Sequence, residues 1–118
     1  ELERRVERAL QAGIERGRII VDPGFGFGKE WRENLELLNR LNELKVLDLP
    51  ILVGFSRKRT IGRVLGLPED DRLEGTLATT ALAIARGADI VRVHDVKPNV
   101  RVARMTDAIL RGPAEDGA

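Results

Sequence analysis

Three short runs in this sequence place charged and hydroxyl side chains directly after apolar stretches. Ile19-Ile20-Val21 ends in Asp22, and Pro23-Gly24-Phe25-Gly26-Phe27-Gly28-Lys29 follows. Ile51-Leu52-Val53-Gly54-Phe55 runs into Ser56-Arg57-Lys58-Arg59. Ala88-Asp89-Ile90-Val91 gives way to Arg92-Val93-His94-Asp95. A carboxylate delivered by a strand end, as at Asp22, can accept two N–H bonds from an amidine-like or aminopyrimidine edge, a charge-assisted pairing with fixed geometry. Arg92 and His94, at i and i+2 on one strand, face the same way. Together they make an anion clamp: the arginine fork fits phosphate oxygens, and the imidazole adds a donor or a proton.

Each of these residues also has a plainer reading. Asp-Pro-Gly is good turn chemistry, so Asp22 could simply open a turn, although it shares strand parity with Ile20 and so follows a residue on one face of the sheet. The alternating Gly24, Gly26 and Gly28 do not make a dinucleotide fingerprint, which needs glycine where Lys29 stands. A Walker-type phosphate loop would need glycine at Pro23 and Ser or Thr at Glu30. The loop therefore reads as a mobile cover over a ligand, with Phe27 available to pack on a flat ring. Ser56 suits a helix N-cap. Arg57, Lys58 and Arg59 then fall in a first turn, where each exposed cation opposes the helix dipole by roughly 0.3–1 kcal/mol. The next helix obeys the dipole rule with Glu69, Asp70 and Asp71. An anion docked at the earlier helix start would resolve the conflict; a solvated basic patch is the alternative. A lone histidine is more often structural, and His94 gains interest only from Arg92 beside it. Asp95 suits capping of the following turn better than orienting His94.

The elements that must position these residues follow from periodicity. Leu2, Val6, Leu10 and Ile14 give one helix face over roughly 1–14, broken at Gly17, before a strand at Ile19–Val21. Asn34 can cap a helix whose stripe carries Leu35, Leu38 and Leu41, widened by Leu37 and Leu44. After the strand at 51–55, a short helix over about 57–65 stops near Gly66. Pro68 opens a longer one with Leu73, Leu77, Ala81 and Ile84 buried, ending at Gly87. A third strand spans 88–94, and Pro98 opens the last helix, through about Leu110. The order α-βα-βαα-βα predicts parallel strands joined by right-handed crossovers, with ligands bound beyond their carboxyl ends. Three strands are few for a doubly wound sheet. The fold class expected is therefore α/β: the C-terminal segment of a (β/α)8 barrel, about three βα units plus a preceding helix, over residues 1–111. Residues 112–118 read as a small, polar, disordered tail. Such a segment leaves two open sheet edges and should not be a stable monomer.

Composition narrows the function classes. Lysine and arginine number 20 against 19 acids, with the signs interspersed, so no nucleic-acid or membrane-surface footprint is present. No cysteine is present, which removes disulfides and thiolate chemistry. No apolar run approaches the ~18 residues of a membrane span and no signal peptide is visible, so the expected location is cytoplasmic. The sequence starts at Glu1 directly in a helical pattern, which suggests a piece of a longer chain.

Taken together, Asp22-Pro23-Gly24-Phe25-Gly26-Phe27-Gly28-Lys29, Gly54-Phe55-Ser56-Arg57-Lys58 and Arg92-Val93-His94-Asp95-Val96 resemble the C-terminal signature blocks of the dihydropteroate synthase family. The resemblance runs from the first helix to about Leu110. It implies a (β/α)8 barrel of folate biosynthesis that joins a dihydropterin-methyl pyrophosphate to para-aminobenzoate and releases pyrophosphate, with Mg2+ assisting. It also implies roles. Asp22 would hold the polar edge of the pterin, and Lys58 would bond the pterin from the other side, near the aminobenzoate. Ser56 would receive the aminobenzoate carboxylate. Arg92 and His94 would bind the departing pyrophosphate, with Arg92 also stacking on the pterin. Phe27 would line the aminobenzoate pocket, where sulfonamides compete, and Gly54 and Arg57 belong to the same substrate-binding block. Lys58, Arg92 and His94 are the catalytic candidates.

About five upstream βα units are missing by this reading, with the rest of the pterin pocket and the Mg2+ ligand. The expected partners are therefore the two substrates and either a second copy or the missing half-barrel, and the chain alone should be inactive. Two other classes stand beside this one. One is a pterin-using barrel such as a methyltetrahydrofolate methyltransferase, against which the Ser-Arg-Lys block and the Arg-x-His pair argue. The other is a non-catalytic anion-binding half-barrel that assembles with a partner.

Overall fold

The computed structural model describes residues 2–25 and 30–113. Helix α1 spans Leu2–Gln11 and turns Val6 into the core. It ends a turn earlier than its apolar spacing predicts. Gly13, at φ 93°, closes it, with the Gly13 N–H donating to the Leu10 carbonyl and the Ile14 N–H to that of Ala9. That pair of bonds is a glycine-terminated helix stop, so Gly13 and not Gly17 is the breaker. A 3-10 turn at Arg16–Arg18 leads to Val21, whose place in the sheet is a single parallel bridge to Ile51 rather than a full strand.

Helix α2 spans Trp31–Asn39. Its cap is Glu30 in a reciprocal capping box with Glu33, not Asn34. Asn34 lies inside the helix, buried, and its Nδ2 donates to Thr60 Oγ1 at 3.0 Å. Leu41–Leu47 continue as a 3-10 helix that buries Leu41 and Leu47. Strand β1 is Leu52–Val53, α3 is Arg59–Leu65, and β2 is Ile90–Val91. The register pairs Leu52 with Ile90 and Val53 with Val91, in parallel.

Helix α4 spans Leu73–Ala85. The acids Glu69–Asp71 form a separate 3-10 turn before it, because Arg72, at φ −123°, interrupts the helical path. The buried stripe of α4 is Thr76, Thr80, Ala83 and Ile84; the predicted Leu73, Leu77 and Ala81 are half-buried. Apolar periodicity misses this rotation because two threonines hold the inner positions with their hydroxyls bonded: Thr76 Oγ1 to the Arg57 N–H and Thr80 Oγ1 to Asn99 Oδ1. Gly87 ends α4 as expected. Helix α5 spans Val96–Arg111, so Pro98 stands within its first turn, where a missing N–H breaks no helical bond. Residues 114–118, most of the expected tail, lie outside the described residues.

The core forms on one side of this strip of strands. Val21, Ile51, Val53, Phe55 and Phe25 pack with Leu38, Leu41, Ile61 and Ala83 from the helices. Phe25 and Phe55 meet at 4.8 Å between ring centroids, tilted at 60°. The opposite face carries Ile20, Leu52 and Ile90, of which Ile20 is 54% and Ile90 38% exposed. The radius of gyration, 15.4 Å, exceeds the roughly 13.5 Å of a compact chain this long. The shape is a slab of 43 × 42 × 21 Å with helices on one side and an uncovered apolar sheet face on the other. No helix among the described residues is long and apolar enough to cross a membrane.

Candidate functional site

All three polar runs emerge at the carboxyl end of the strip. By alternation from Ile20, Leu52 and Ile90, the residues Asp22, Gly54 and Arg92 fall on the uncovered face. A groove of about 380 Å³ opens there, lined by Gly54, Ser56, Lys58, Arg92, Val93 and His94. The structure thus brings together five of the residues singled out from sequence, across two strand ends separated by a whole βα unit.

Gly54 lies directly beneath the Arg92 guanidinium. A Cβ built on it would lie 3.1 Å from Arg92 Nη2 and 3.3 Å from Nε, so the bare backbone is the seat on which the guanidinium rests. The backbone N–H of Arg92 donates to the Val53 carbonyl at 2.9 Å, which anchors the base of that side chain to β1.

Ser56 is not a helix cap. Helix α3 begins at Arg59, with Lys58 in the capping position and extended. Buried Ser56 instead faces His94. Its Oγ accepts the His94 backbone N–H at 3.1 Å and lies 2.8 Å from Nδ1 of the same residue. The dipole conflict expected at this helix start largely dissolves, since Arg57 and Lys58 precede the helix and only Arg59 occupies its first turn.

Arg57 adopts the left-handed conformation at φ 55°, which costs a non-glycine residue roughly 1–2 kcal/mol. Its neighbours hold it there at every polar group. The N–H donates to Thr76 Oγ1 at 3.1 Å, and the carbonyl accepts from Arg72 Nη1 at 3.0 Å. The guanidinium pairs with Asp95, Nη2 to Oδ1 at 2.9 Å and Nε to Oδ2 at 3.3 Å. The Asp95 hydrogen bond raises the guanidinium pKa above its ordinary value. This corrects the reading of Asp95: although it stands at the N-cap of α5, its carboxylate makes no cap bond and binds Arg57 rather than orienting His94. Arg57 itself lies outside the groove lining.

Sequence reasoning missed Arg72 and Thr76. Arg72 Nε also donates to the Leu67 carbonyl at 3.0 Å, and its guanidinium fills the space that a side chain at Gly62 would take. No pattern announces either residue: Thr76 reads as a polar interruption of an apolar stripe, and Arg72 as one more surface cation.

Asp22 is exposed at the same end of the sheet but is not part of the groove wall. Its Oδ1 accepts the Gly24 N–H at 2.8 Å, so the turn chemistry of Asp-Pro-Gly is realised while one carboxylate oxygen remains for other contacts. Phe27 and the loop glycines Gly26 and Gly28 lie outside the described residues. Among the described residues no three carboxylate, imidazole or thiol groups converge in a way that could hold a metal ion.

Parallel strands with helices on one face, and a groove lined by Lys58, Arg92 and His94 beyond their carboxyl ends, define a protein of the parallel α/β class. The chain belongs to the pterin binding enzyme family, whose model matches residues 1–94. Dihydropteroate synthase of Bacillus subtilis is 51% identical to it over 105 residues, which is 89% of this chain and 37% of that protein. That of Escherichia coli is 47% identical over the same shares. The crystal structure of dihydropteroate synthase from Clostridium difficile, determined in the presence of pteroic acid, superposes with a TM-score of 0.89 at 55% identity. It covers 92% of this chain and 41% of its own. The Yersinia pestis enzyme with a pterine-sulfa conjugate gives 0.90 at 41% identity, covering 92% and 42%. The chain therefore spans about two-fifths of the length of these relatives.

Proposed function

We propose that this chain is the C-terminal part of a dihydropteroate synthase barrel, carrying the groove that binds pyrophosphate and one wall of the pterin and aminobenzoate pockets. One observation carries the reading: Lys58, Arg92 and His94 line a single groove, with Gly54 and Ser56 between them, at the carboxyl end of parallel strands. The uncovered face bearing Ile20, Leu52 and Ile90 supports the barrel, since it is apolar where a barrel interior would bury it. The shared span with synthase relatives supports the reaction.

In the complete enzyme the carbon–oxygen bond from the pterin methylene to pyrophosphate breaks first, as an electron-rich pterin permits, and the aminobenzoate nitrogen then attacks the methylene carbon. The bond pair leaves with pyrophosphate, and the amine loses a proton. Charge builds on the departing oxygens, and the Arg92 fork over Gly54, with a His94 donor beside it, is placed to stabilise it. Lys58, at the mouth of α3, bonds the pterin and lies along the aminobenzoate, and Asp22 holds the pterin edge with its outward oxygen. Phe27, outside the described residues, would serve the aminobenzoate pocket by its resemblance to the synthases. Most of the catalysis is positioning. Mg2+ would neutralise pyrophosphate oxygens when bound, with its protein ligand expected in the rest of the barrel.

The reading brings with it a cytoplasmic location and association with the remaining half-barrel or a second copy along the open edges. The test is turnover of pterin pyrophosphate and aminobenzoate. The 118-residue chain should show none, whereas in the complete synthase Lys58→Ala and Arg92→Ala should each lower kcat/KM by about a hundredfold or more. Near-normal rates in either variant would remove that residue from the site, and turnover by the chain alone would overturn the half-barrel reading.

A further inference from the structure

We propose that Ser56 is a positioning residue that fixes the tautomer of His94, so that the ring offers its Nε2 hydrogen to the anion in the groove, a role that rests on the pyrophosphate reading of that groove. A serine hydroxyl has one hydrogen and two lone pairs. One lone pair of Ser56 Oγ already accepts the His94 backbone N–H at 3.1 Å. The 2.8 Å contact to Nδ1 then has two arrangements. In one, the hydroxyl donates to an unprotonated Nδ1. In the other, Nδ1–H donates to the oxygen.

Two physical reasons favour the first. Accepting from one group and donating to the next makes a chain in which each bond polarises its neighbour. The second arrangement points two N–H dipoles of one residue at one oxygen and leaves the hydroxyl hydrogen without an acceptor. Ser56 is 6% exposed, and among the described residues its hydroxyl has no partner besides His94. A buried donor without an acceptor costs roughly 1–3 kcal/mol.

With Nδ1 accepting, the neutral ring carries its hydrogen on Nε2. That nitrogen belongs to an exposed side chain on the groove wall, and among the described residues nothing bonds it. The choice matters for an anion. Nε2–H donates to a phosphate oxygen, whereas the other tautomer would present a lone pair to it. The same bond holds the Ser56 hydrogen away from an aminobenzoate carboxylate, the role that resemblance to the synthases implies.

The test uses the complete synthase carrying this segment, labelled with 15N-histidine, at a pH where imidazoles are neutral. The difference from a His94→Gln sample isolates the His94 ring. The expected spectrum is the Nε2–H tautomer, kept in Ser56→Thr and mixed in Ser56→Ala. Ser56→Ala should also weaken inhibition by inorganic pyrophosphate roughly fivefold, the size of one ordinary hydrogen bond, with KM for aminobenzoate little changed. An Nδ1–H spectrum in the unsubstituted protein overturns the proposal, even if Ser56→Ala fails to fold. So does a rise confined to the aminobenzoate KM, which would assign the hydroxyl to the carboxylate. If His94→Gln leaves pyrophosphate inhibition intact, the pyrophosphate reading of the groove fails instead, and the spectrum still decides the Ser56–His94 contact.

Discussion

Replacing Gly62 by alanine should destabilise this protein, against the ordinary trend for helices. Gly62 lies in the middle of α3, where exchanging glycine for alanine usually stabilises by roughly 0.5–1 kcal/mol. Here a Cβ would stand 2.3 Å from Arg72 Nη2, 2.6 Å from Cζ and 2.9 Å from Nε. A guanidinium at the end of a flexible side chain can swing away from such a clash at little steric cost. Swinging away, however, breaks the Nε bond to the Leu67 carbonyl and the Nη1 bond to the Arg57 carbonyl, both 3.0 Å. Hydrogen bonds from a charged donor contribute about 1.5–3 kcal/mol each, and for a half-buried arginine the lower end applies, so the two together are worth about 3 kcal/mol. Setting the helix gain against that loss leaves a net destabilisation of about 2 kcal/mol.

In a protein the size of the relatives this corresponds to a fall in Tm of about 4–8 °C. Scanning calorimetry on the complete protein would compare wild type, Gly62→Ala, Arg72→Ala and the double variant. With Arg72 already removed, alanine at position 62 should recover its usual stabilising effect, so the sign of the substitution reverses between the two backgrounds. A Gly62→Ala protein that melts at or above the wild-type temperature would refute the seat assigned to Arg72, and with it the brace on the loop leading to Lys58.

Three further outcomes are expected. Thr76→Val removes the fully buried oxygen that accepts the Arg57 N–H and should cost about 1–3 kcal/mol, whereas Thr76→Ser keeps the oxygen and most of the stability; equal losses in urea unfolding would contradict the role of that oxygen. Asn99→Ala removes the acceptor of the buried Thr80 hydroxyl at 2.6 Å and the Nδ2 bond to the Asp95 carbonyl at 2.8 Å. It should cost about 2–3 kcal/mol, and a loss below ~0.5 kcal/mol would show that the pair does not matter. Arg40 holds the Glu43 carboxyl below its ordinary range. A lowered folded pKa gives stability that is present above the unfolded pKa and lost as pH falls through the folded one. Glu43→Gln should therefore flatten the acid limb of a stability–pH curve slightly, with no change in the alkaline limb; an alkaline change would contradict the pairing.

Much of the architecture was legible in the residues themselves. Apolar runs that stop near Asp22, Phe55 and His94 marked three parallel strand ends, because buried strands are continuous apolar stretches; the strands are shorter than those runs, Leu52–Val53 and Ile90–Val91 with a single bridge at Val21. That order put Asp22, Ser56, Arg57, Lys58, Arg92, His94 and Asp95 at one end of the sheet; Ser56, Lys58, Arg92 and His94 line the groove with Gly54, whereas Asp22, Arg57 and Asp95 lie outside its lining. Helix ends were less legible where competing caps exist. Asn34 looked like a cap but is a buried partner of Thr60, since the Glu30–Glu33 box satisfies the helix start first.

Tertiary structure alone decided which polar group meets which. Ser56 and His94 are far apart in sequence, and nothing local says that one hydroxyl will take both the backbone and ring nitrogens of the other. Nor does anything local say that Arg57 will stand at φ 55° with Thr76, Arg72 and Asp95 on its three polar groups. By itself the sequence determined the order of strands and the end of the sheet where the charged and hydroxyl residues collect, because those follow from periodicity and from the residue types at strand ends. The pairing of those residues depended on how helices α3, α4 and α5 pack over the strip, since a hydrogen bond is set by direction and distance in space and not by position along the chain.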